Sequence, residues 1–287
     1  ASEFGFSDVD GDSLNHVTIE TLPSNGTLLL SGVAVSAGDE ISAADITNLV
    51  FRPAANANGS DYDSFTLSVN DGTADSSSTY TMTVDVDAVN DAPTASDNTV
   101  TTNEDTDHTF AASEFGFSDV DGDSLNHVTI ETFPSNGTLL LSGVAVSAGD
   151  EISAADITNL VFRPAANANG SDYDSFTFSV NDGTADSSST YTMTVDVDAV
   201  NDAPTASDNT VTTNEDTDHT FAASEFGFSD VDGDSLNHVT IETLPSNGTL
   251  LLSGVAVSAG DEISAADITN LVFRPAANAN GSDYDSF

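Results

Sequence analysis

Aspartate occupies every second position in the stretch DVDGD at residues 8–12. Asp8, Asp10 and Asp12 offer carboxylate oxygens, Asn15 adds an amide oxygen, and Gly11 permits a tight bend between them. Hard oxygen donors at this density are the ligands that Ca²⁺ takes, about six to eight at a time. The stretch recurs twice, which adds as candidate metal ligands Asp119, Asp121, Asp123 and Asn126, and then Asp230, Asp232, Asp234 and Asn237.

The spacing in DVDGD differs from that of known calcium loops. An EF-hand loop has glycine sixth and glutamate twelfth from its first aspartate, whereas here Gly11 is fourth and Ile19 is twelfth. The glycine-rich nonapeptide of calcium-binding β-rolls is also missing from the sequence. The motif therefore predicts a cation site of a different kind.

Two further acidic clusters lie on either side of the sequence VNDAP. The first contains Asp85, Asp87, Asn90 and Asp91, and its next copy contains Asp198, Asn201 and Asp202; the second contains Glu104, Asp105 and Asp107, and its next copy contains Glu215. Two like charges about 4 Å apart repel by about 4 kcal/mol at an effective dielectric constant near 20. Convergence of these groups predicts a bound divalent cation. The alternative is a set of solvated loop residues in a protein adapted to salt.

Other reactive residue types form no convincing catalytic arrangement. His16, His127 and His238 have serine and aspartate nearby, but no spacing indicates a catalytic triad. Paired carboxylates are used by glycosidases, yet an enzyme rarely needs an active site in every repeat. We therefore expect the chain not to be an enzyme.

The charge balance excludes whole classes of partner. The chain has 3 basic and 48 acidic residues, a net charge of −45, and the basic residues are Arg52, Arg163 and Arg274. Such a surface repels nucleic acid and anionic lipid and attracts cations. Hydrophobic residues make up 38% of the chain and fall in alternating runs, which favours a folded protein over a disordered one. There is no cysteine, and no apolar run approaches the ~18 residues of a membrane span.

One unit is repeated along the chain. ASEFGF begins at residues 1, 112 and 223, which gives a period of 111 residues. The first two periods differ at two positions, Leu22 against Phe133 and Leu67 against Phe178, and the partial third copy is identical to residues 1–65. Breaks at VNDAP predict three modules: residues 1–91 without a first strand, 92–202 complete, and 203–287 without the last strands. Because Ala1 lies inside a repeat, we expect the chain to be a fragment.

The pattern inside each period is that of β-strands. In STYTMTVDV, Tyr80, Met82, Val84 and Val86 alternate with polar residues, as in a half-buried strand. Asn25-Gly26 predicts a two-residue hairpin, and SAADITNL predicts one short helical turn with Ser42 as its cap. Strands are also predicted at 98–102 and 108–117. About seven strands in about 100 residues predict tandem immunoglobulin-like β-sandwiches, an all-β fold with modules joined end to end.

Taken together, NEDT, DVDGDSL, PSNGTL, FRPAANANGSDYDSF, SVNDG and VNDAP resemble the bacterial cadherin-like tandem repeats of very large surface adhesins. The resemblance covers essentially the whole chain. It implies seven-stranded cadherin-like sandwiches with Ca²⁺ held between neighbours. By this likeness the ligands are Glu104 and Glu215 in the first strand region; Asp87, Asn90, Asp91, Asp198, Asn201 and Asp202 in the linkers; Asp119, Asp121, Asp230 and Asp232, with Asn126 and Asn237, in the next module; and Asp71 and Asp182 at the end of the sixth strand.

The sequence departs from the animal cadherin pattern in two places. The linker reads DAVNDAP, and the Asp-Arg-Glu element before the sixth strand is absent. Asp61 with Asp63, and Asp172 with Asp174, are candidates to replace that element. The number of ions at each junction therefore stays open.

The resemblance implies a non-enzymatic extender of a bacterial surface or secreted adhesin, stiffened by Ca²⁺ and holding a terminal binding domain away from the cell. Its expected partners are adjacent identical repeats, with no nucleic acid and no membrane insertion. Two alternatives remain: a subunit of an extracellular filament formed with other copies, and a module that binds carbohydrate or its own kind on another cell. Each places the chain outside the cell or on its surface.

Overall fold

The computed structural model describes residues 2–287, and regular structure in this range is almost entirely β. The first module contains β1 (His16–Thr21), β2 (Gly26–Leu30), β3 (Val33–Ala34), β4 (Glu40–Ser42), β5 (Leu49–Pro53), β6 (Gly59–Asn70) and β7 (Tyr80–Val86). The second contains β8 (Asn98–Asn103), β9 (His108–Thr109), β10 (His127–Ile130), β11 (Thr138–Leu141), β12 (Val144–Ala145), β13 (Glu151–Ser153), β14 (Leu160–Arg163), β15 (Gly170–Asn181) and β16 (Tyr191–Asp198). The third contains β17 (His219–Thr220), β18 (His238–Thr240), β19 (Gly248–Leu252), β20 (Val255–Ala256), β21 (Glu262–Ser264) and β22 (Leu271–Pro275).

Short 3-10 turns are the helical elements of the described residues. They span Ser2–Phe4, Ile46–Asn48, Ala112–Phe115, Ile157–Asn159, Ala223–Phe226 and Ile268–Asn270. The turn predicted in SAADITNL is present at Ile46–Asn48, but its N-cap is Asp45 and not the predicted Ser42. The Asp45 N–H donates to Ser42 Oγ (3.2 Å), and Ser42 Oγ donates to Asp45 Oδ2 (2.7 Å), in the turn that precedes it. In the described part of the chain, no helix combines the length and the apolar character needed to cross a membrane.

The second module is a two-sheet sandwich, which confirms the predicted all-β immunoglobulin-like class. One sheet has the strand order β13-β10-β15-β16-β8, and the other has the order β12-β11-β14-β9. The first module repeats these sheets as β4-β1-β6-β7 and β3-β2-β5, and the third as β18-β21 and β17-β22-β19-β20. All ladders are antiparallel except that of β8 with β16.

Aromatic rings from both sheets fill the centre of the second module. Phe110, Phe115, Phe162, Phe176 and Phe178 are each at most 1% exposed. The rings of Phe115 and Phe178 meet edge to face with centroids 4.9 Å apart, as do those of Phe110 and Phe176 at 5.6 Å. Met193, Val195 and Val197 complete this core from alternate positions of β16, as the period of two in STYTMTVDV predicts.

The predicted hairpin at Asn25-Gly26 is wrong. The strands on either side, β1 and β2, belong to different sheets and do not pair with each other. Gly26 is needed for another reason, since a Cβ there would lie 2.2 Å from the Phe51 ring. The two-residue hairpin joins β2 to β3 instead, where Ser31 and Gly32 both have positive φ (49° and 85°), as a type I′ turn requires.

The strand predicted at residues 108–117 is also wrong in extent. Its regular part is the two-residue β9, after which the chain turns through the 3-10 segment Ala112–Phe115. The Glu114 carboxylate accepts the Ala111 N–H (2.9 Å) and lies 3.3 Å from His108 Nε2, and Gly116 follows with a φ of 58°. This turn places Phe115 in the core, which a continuous strand would not.

Candidate metal centres at the module junctions

The first aspartate of each DVDGD copy holds its own loop. Asp119 Oδ1 accepts the N–H groups of Asp121 (2.8 Å) and Asp123 (3.0 Å), and Gly122 makes the bend with a φ of 86°. Asp8 and Asp230 make the same two bonds in the other modules. The loop is thereby fixed so that the second aspartate is free to face the preceding linker.

At the first junction, the linker is bonded to the entry end of the second module, which we define as residues 119–126 and 182. The Asp91 N–H donates to Asp121 Oδ2 (2.7 Å), and Asn90 Nδ2 donates to Asp182 Oδ2 (3.0 Å). The backbone N–H of Ala185 lowers the pKa of Asp182, and the Asn90 amide lowers it further. Two predicted ligands from the linker and two from the next module therefore lie together.

One carboxylate oxygen at this end has no hydrogen-bond partner. Asp119 Oδ2 is buried and accepts nothing from the described residues, although Oδ1 of the same carboxylate accepts two N–H groups. A buried charged oxygen without a donor is unfavourable. A cation is a partner that would satisfy it.

At the second junction, Glu104 connects the linker to the exit end of the second module, which we define as residues 104–105, 167–169 and 198–202. Glu104 is 3% exposed. Its N–H donates to the Asp198 carbonyl (2.9 Å), its Oε1 accepts the Val200 N–H (2.5 Å), and its Oε2 accepts Asn169 Nδ2 (3.1 Å). The predicted ligand therefore also fixes the path of the linker.

Negative charge gathers at Asp202. Its N–H donates to Asp232 Oδ2 (2.7 Å), the same bond that Asp91 makes to Asp121 one repeat earlier. Partial burial raises the pKa of the Asp202 carboxyl, and four negative charges raise it further, those of Asp232, Asp105, Glu104 and Asp230. Ionisation of Asp202 is thus less favourable than that of an isolated aspartate, and a bound cation would offset the repulsion.

Asn167, which the sequence analysis did not single out, belongs to this cluster beside Asp105 and Asp202. The Asn167 side-chain amide is oriented so that its nitrogen faces two carboxylates. Its Nδ2 donates to Asp105 Oδ2 (3.0 Å) and to Asp202 Oδ2 (3.2 Å). The Asn167 N–H donates to Asp105 Oδ1 (3.0 Å), and Asn167 itself has a φ of 54°. The sequence holds no signal that would have placed Asn167 beside NEDTD, since only the folded chain brings residues 105, 167 and 202 together.

Four other predicted ligands, Asn15, Asn126, Asp71 and Glu215, make hydrogen bonds within their own modules. Asn15 and Asn126 face the neighbouring histidines, with Oδ1 3.0 Å from His16 Nδ1 and 2.9 Å from His127 Nδ1 respectively. Asp71, equivalent to Asp182, has its pKa lowered to about 2 by hydrogen bonds from the Thr73 hydroxyl and from the Ala74 and Thr73 N–H groups. Glu215, equivalent to Glu104, accepts Asn280 Nδ2 (2.9 Å).

Two of the four residues suggested to replace the missing cadherin element, Asp63 and Asp174, have another role. Asp174 is 7% exposed, and its carboxylate accepts the N–H groups of Ser135 (3.0 Å), Asn136 (2.7 Å) and Gly137 (2.8 Å). Asp63 makes the equivalent bonds in the first module. These carboxylates hold the connection between the two sheets.

The arrangement meets some but not all requirements of a metal site. The available oxygen ligands are carboxylates, amides and carbonyls, as hard divalent cations prefer, and Asp119 Oδ2 is a buried acceptor without a hydrogen-bond donor. Within residues 2–287, however, no three His, Asp or Glu side chains are close enough to hold an ion by themselves. A bound ion would also need carbonyl, amide or water oxygens, or a small convergence of the carboxylates.

Comparison with known proteins identifies the domain type. The family model described as a bacterial Ig domain matches residues 90–197 and 201–287, well over half of the chain. Each match begins at the asparagine of a VNDAP linker. A comparison with curated proteins gave no significant match.

Several solved structures show distant similarity. The endo-fucoidan hydrolase MfFcnA4 of glycoside hydrolase family 107 is 22% identical over 67% of this chain, with a TM-score of 0.24. This chain spans 24% of that enzyme's length. Domains 4 and 5 of the S-layer protein SbsC are 14% identical over 64% of this chain and 98% of theirs, with a TM-score of 0.21. Likenesses at these scores carry no conclusion about activity.

Proposed function

Because the chain belongs to the bacterial Ig domain family, we propose that it is a non-enzymatic extender of a bacterial surface or secreted adhesin, in which Ca²⁺ stiffens each junction between modules. The observation that carries the proposal is the repeated junction bond. Asp91 and Asp202 each donate a linker N–H to the second aspartate of the next DVDGD loop, both at 2.7 Å. A tandem array of such modules suits a stalk better than an active site.

The charge distribution supports a metal at these junctions. Carboxylates from the end of one module, from the linker and from the start of the next module approach one another at Asp202. Without a cation their repulsion opposes a fixed junction, and with Ca²⁺ they become ligands that join the two modules. The residues that would hold it at the second junction are Glu104, Asp105, Asp202, Asp230 and Asp232, together with backbone or solvent oxygens.

Weak sites would suffice outside the cell. At a free Ca²⁺ concentration one hundred times the Kd, binding adds about 2.7 kcal/mol to the stability of the bound form. Extracellular calcium modules have Kd values of about 10⁻⁴–10⁻³ M. Such sites would be empty in cytosol and filled after export, so the chain would become stiff where it is used.

Calcium-dependent melting of the full chain tests the proposal. We expect Ca²⁺ to raise the unfolding midpoint well above the value in EDTA, and Mg²⁺ at equal ionic strength to raise it less. Asp232→Asn should remove much of the Ca²⁺ increment. Asp150→Asn, a matched loss of charge in an exposed loop where the carboxylate accepts only the Ser147 N–H among the described bonds (2.8 Å), should keep it. Equal rises with both ions, or equal losses in both variants, would show general screening instead of specific sites.

A further inference from the structure

The strands that bring the chain into and out of the second module lie side by side. β8 and β16 pair in parallel, in unbroken register from Asn98 opposite Met193 to Asn103 opposite Asp198. The chain arrives at the first residue of β8 and departs from the last residue of β16. Tension along the chain therefore pulls the two strands in opposite directions along their common axis.

Loading of this kind strains every hydrogen bond of the ladder at once. The strands can separate only by sliding past each other, whereas bonds pulled open from one end break one at a time. The ladder is about 20 Å long, at about 3.3 Å per residue. We propose that the β8–β16 pair is a force-bearing clamp that lets a complete module resist stretching, and that Glu104 closes the clamp at its exit end.

Glu104 lies where β16 would be pulled away from β8. It extends the ladder by one backbone bond, from its N–H to the Asp198 carbonyl (2.9 Å). Its carboxylate accepts the Val200 N–H beyond the end of β16 and the Asn169 amide from the β14–β15 connection. Sliding would break both side-chain bonds and leave a charge that is 3% exposed without its donors.

The third module supplies a matched comparison in the same chain. Residues 209–214 have the same sequence as β8 but form no strand and pair with no strand of the third module. Glu215 still accepts Asn280 Nδ2 (2.9 Å), as Glu104 accepts Asn169. Within residues 2–287 the parallel ladder therefore occurs in the second module alone, and Glu215 is an equivalent glutamate outside such a ladder.

The inference that this chain bears tension rests on the proposed extender function. The clamp itself needs no metal. Single chains of 287 residues should therefore be stretched by their ends in EDTA, so that the outcome is independent of Ca²⁺. The unfolding event of the second module can be identified with a disulfide between Thr99→Cys and Thr194→Cys. These two positions lie opposite each other in the ladder, and the chain has no other cysteine. When oxidised, this pair lets the force bypass the module and removes its event.

We expect the second module to give the most force-resistant event. Loss of a hydrogen bond to a charged acceptor changes an equilibrium or rate constant about tenfold or more. Glu104→Ala should therefore shorten the lifetime of the folded second module at constant load about tenfold. Glu104→Gln should restore part of the lifetime, since its carbonyl oxygen still accepts one donor. Glu215→Ala should leave the event unchanged.

A core variant separates mechanical strength from ordinary stability. Leu139 is 2% exposed in β11 of the opposite sheet. Leu139→Ala should lower stability in urea at least as much as Glu104→Ala does, yet shorten the loaded lifetime less. The proposal is overturned if loaded lifetimes follow urea stability equally in both variants, or if Glu104→Ala leaves the lifetime unchanged.

Discussion

The carboxylate of Asp174 holds the connection between the two sheets of the second module, and its replacement should be one of the most damaging single polar changes there. Oδ1 accepts the N–H groups of Ser135 (3.0 Å) and Ser175 (2.9 Å), and Oδ2 accepts those of Asn136 (2.7 Å) and Gly137 (2.8 Å). Four donors thus meet one side chain that is 7% exposed.

Asp174→Asn keeps the size of the side chain and one carbonyl oxygen. Two of the four N–H groups then face an NH₂ group, and the other two keep a neutral acceptor in place of a charged one. A buried donor left without an acceptor costs about 1–3 kcal/mol. Two such donors give an expected loss of about 4 kcal/mol in the free energy of unfolding of the second module.

The assay needs a signal from the second module alone, because multidomain chains do not unfold in one step. The chain contains no tryptophan, so Tyr191→Trp, a half-buried position whose ring centroid lies 5.9 Å from that of Phe178, provides a specific fluorescent probe. Urea unfolding of this variant with and without Asp174→Asn measures the difference.

The control is again Asp150→Asn, where the exposed carboxylate accepts one N–H of its own loop (2.8 Å). Its effect should stay within about 0.5 kcal/mol, as for an ordinary surface change. If Asp174→Asn changed the free energy of unfolding by less than 1 kcal/mol, the carboxylate would not be holding the sheets together as its hydrogen bonds indicate.

Two further predictions concern a close contact and the response to acid. Gly137→Ala should lower the free energy of unfolding of the second module by about 1–3 kcal/mol in urea, because the new Cβ would lie 2.3 Å from the Phe162 ring. Gly281→Ala, whose Cβ would have no heavy atom within 4 Å, should leave stability unchanged. Equal effects of the two substitutions would contradict this reasoning. The pKa of Asp71 is lowered to about 2, first by the Thr73 hydroxyl, so the stability that it contributes is complete above its ordinary pKa of 3.8 and is lost as the pH falls from there toward 2. Acid titration of unfolding midpoints should show a smaller loss over this range in Asp71→Asn, and an unchanged loss would exclude Asp71 as a contributor.

The strands with strong alternation were predictable from sequence, because burial of one face imposes a period of two. Met193, Val195 and Val197 point into the core as the alternation in STYTMTVDV predicts. Asn25-Gly26 does not form the predicted hairpin, because the glycine there is required by the Phe51 ring of the neighbouring strand β5, a contact between residues far apart in the chain that no local pattern contains.

The copies of NTVTTN show how far tertiary context decides a strand. Residues 98–103 form β8 beside β16, while the same letters at 209–214 have no partner and no regular structure. The local sequence therefore permits a strand, but the strand forms only where a neighbouring strand pairs with it.

The acidic clusters were found from sequence, and the resemblance assigned residues of the linker and of the next module to one junction, but their individual contacts were not predicted. Composition alone could not show that Asp182 faces Asn90 across a junction, or that Asn167 lies between Asp105 and Asp202. Neither could it show that Asp174 bonds to backbone N–H groups instead of facing a neighbouring module. Those assignments depend on contacts between residues far apart in the chain.

Small-angle X-ray scattering of the full chain, in EDTA and then in Ca²⁺ at equal ionic strength, measures whether calcium stiffens the junctions. We expect Ca²⁺ to increase the maximum dimension and to narrow the distribution of conformations, as flexible junctions become stiff, and Mg²⁺ to do so less. Profiles that are identical in EDTA and in saturating Ca²⁺ would contradict calcium stiffening, whatever the stability of the individual modules.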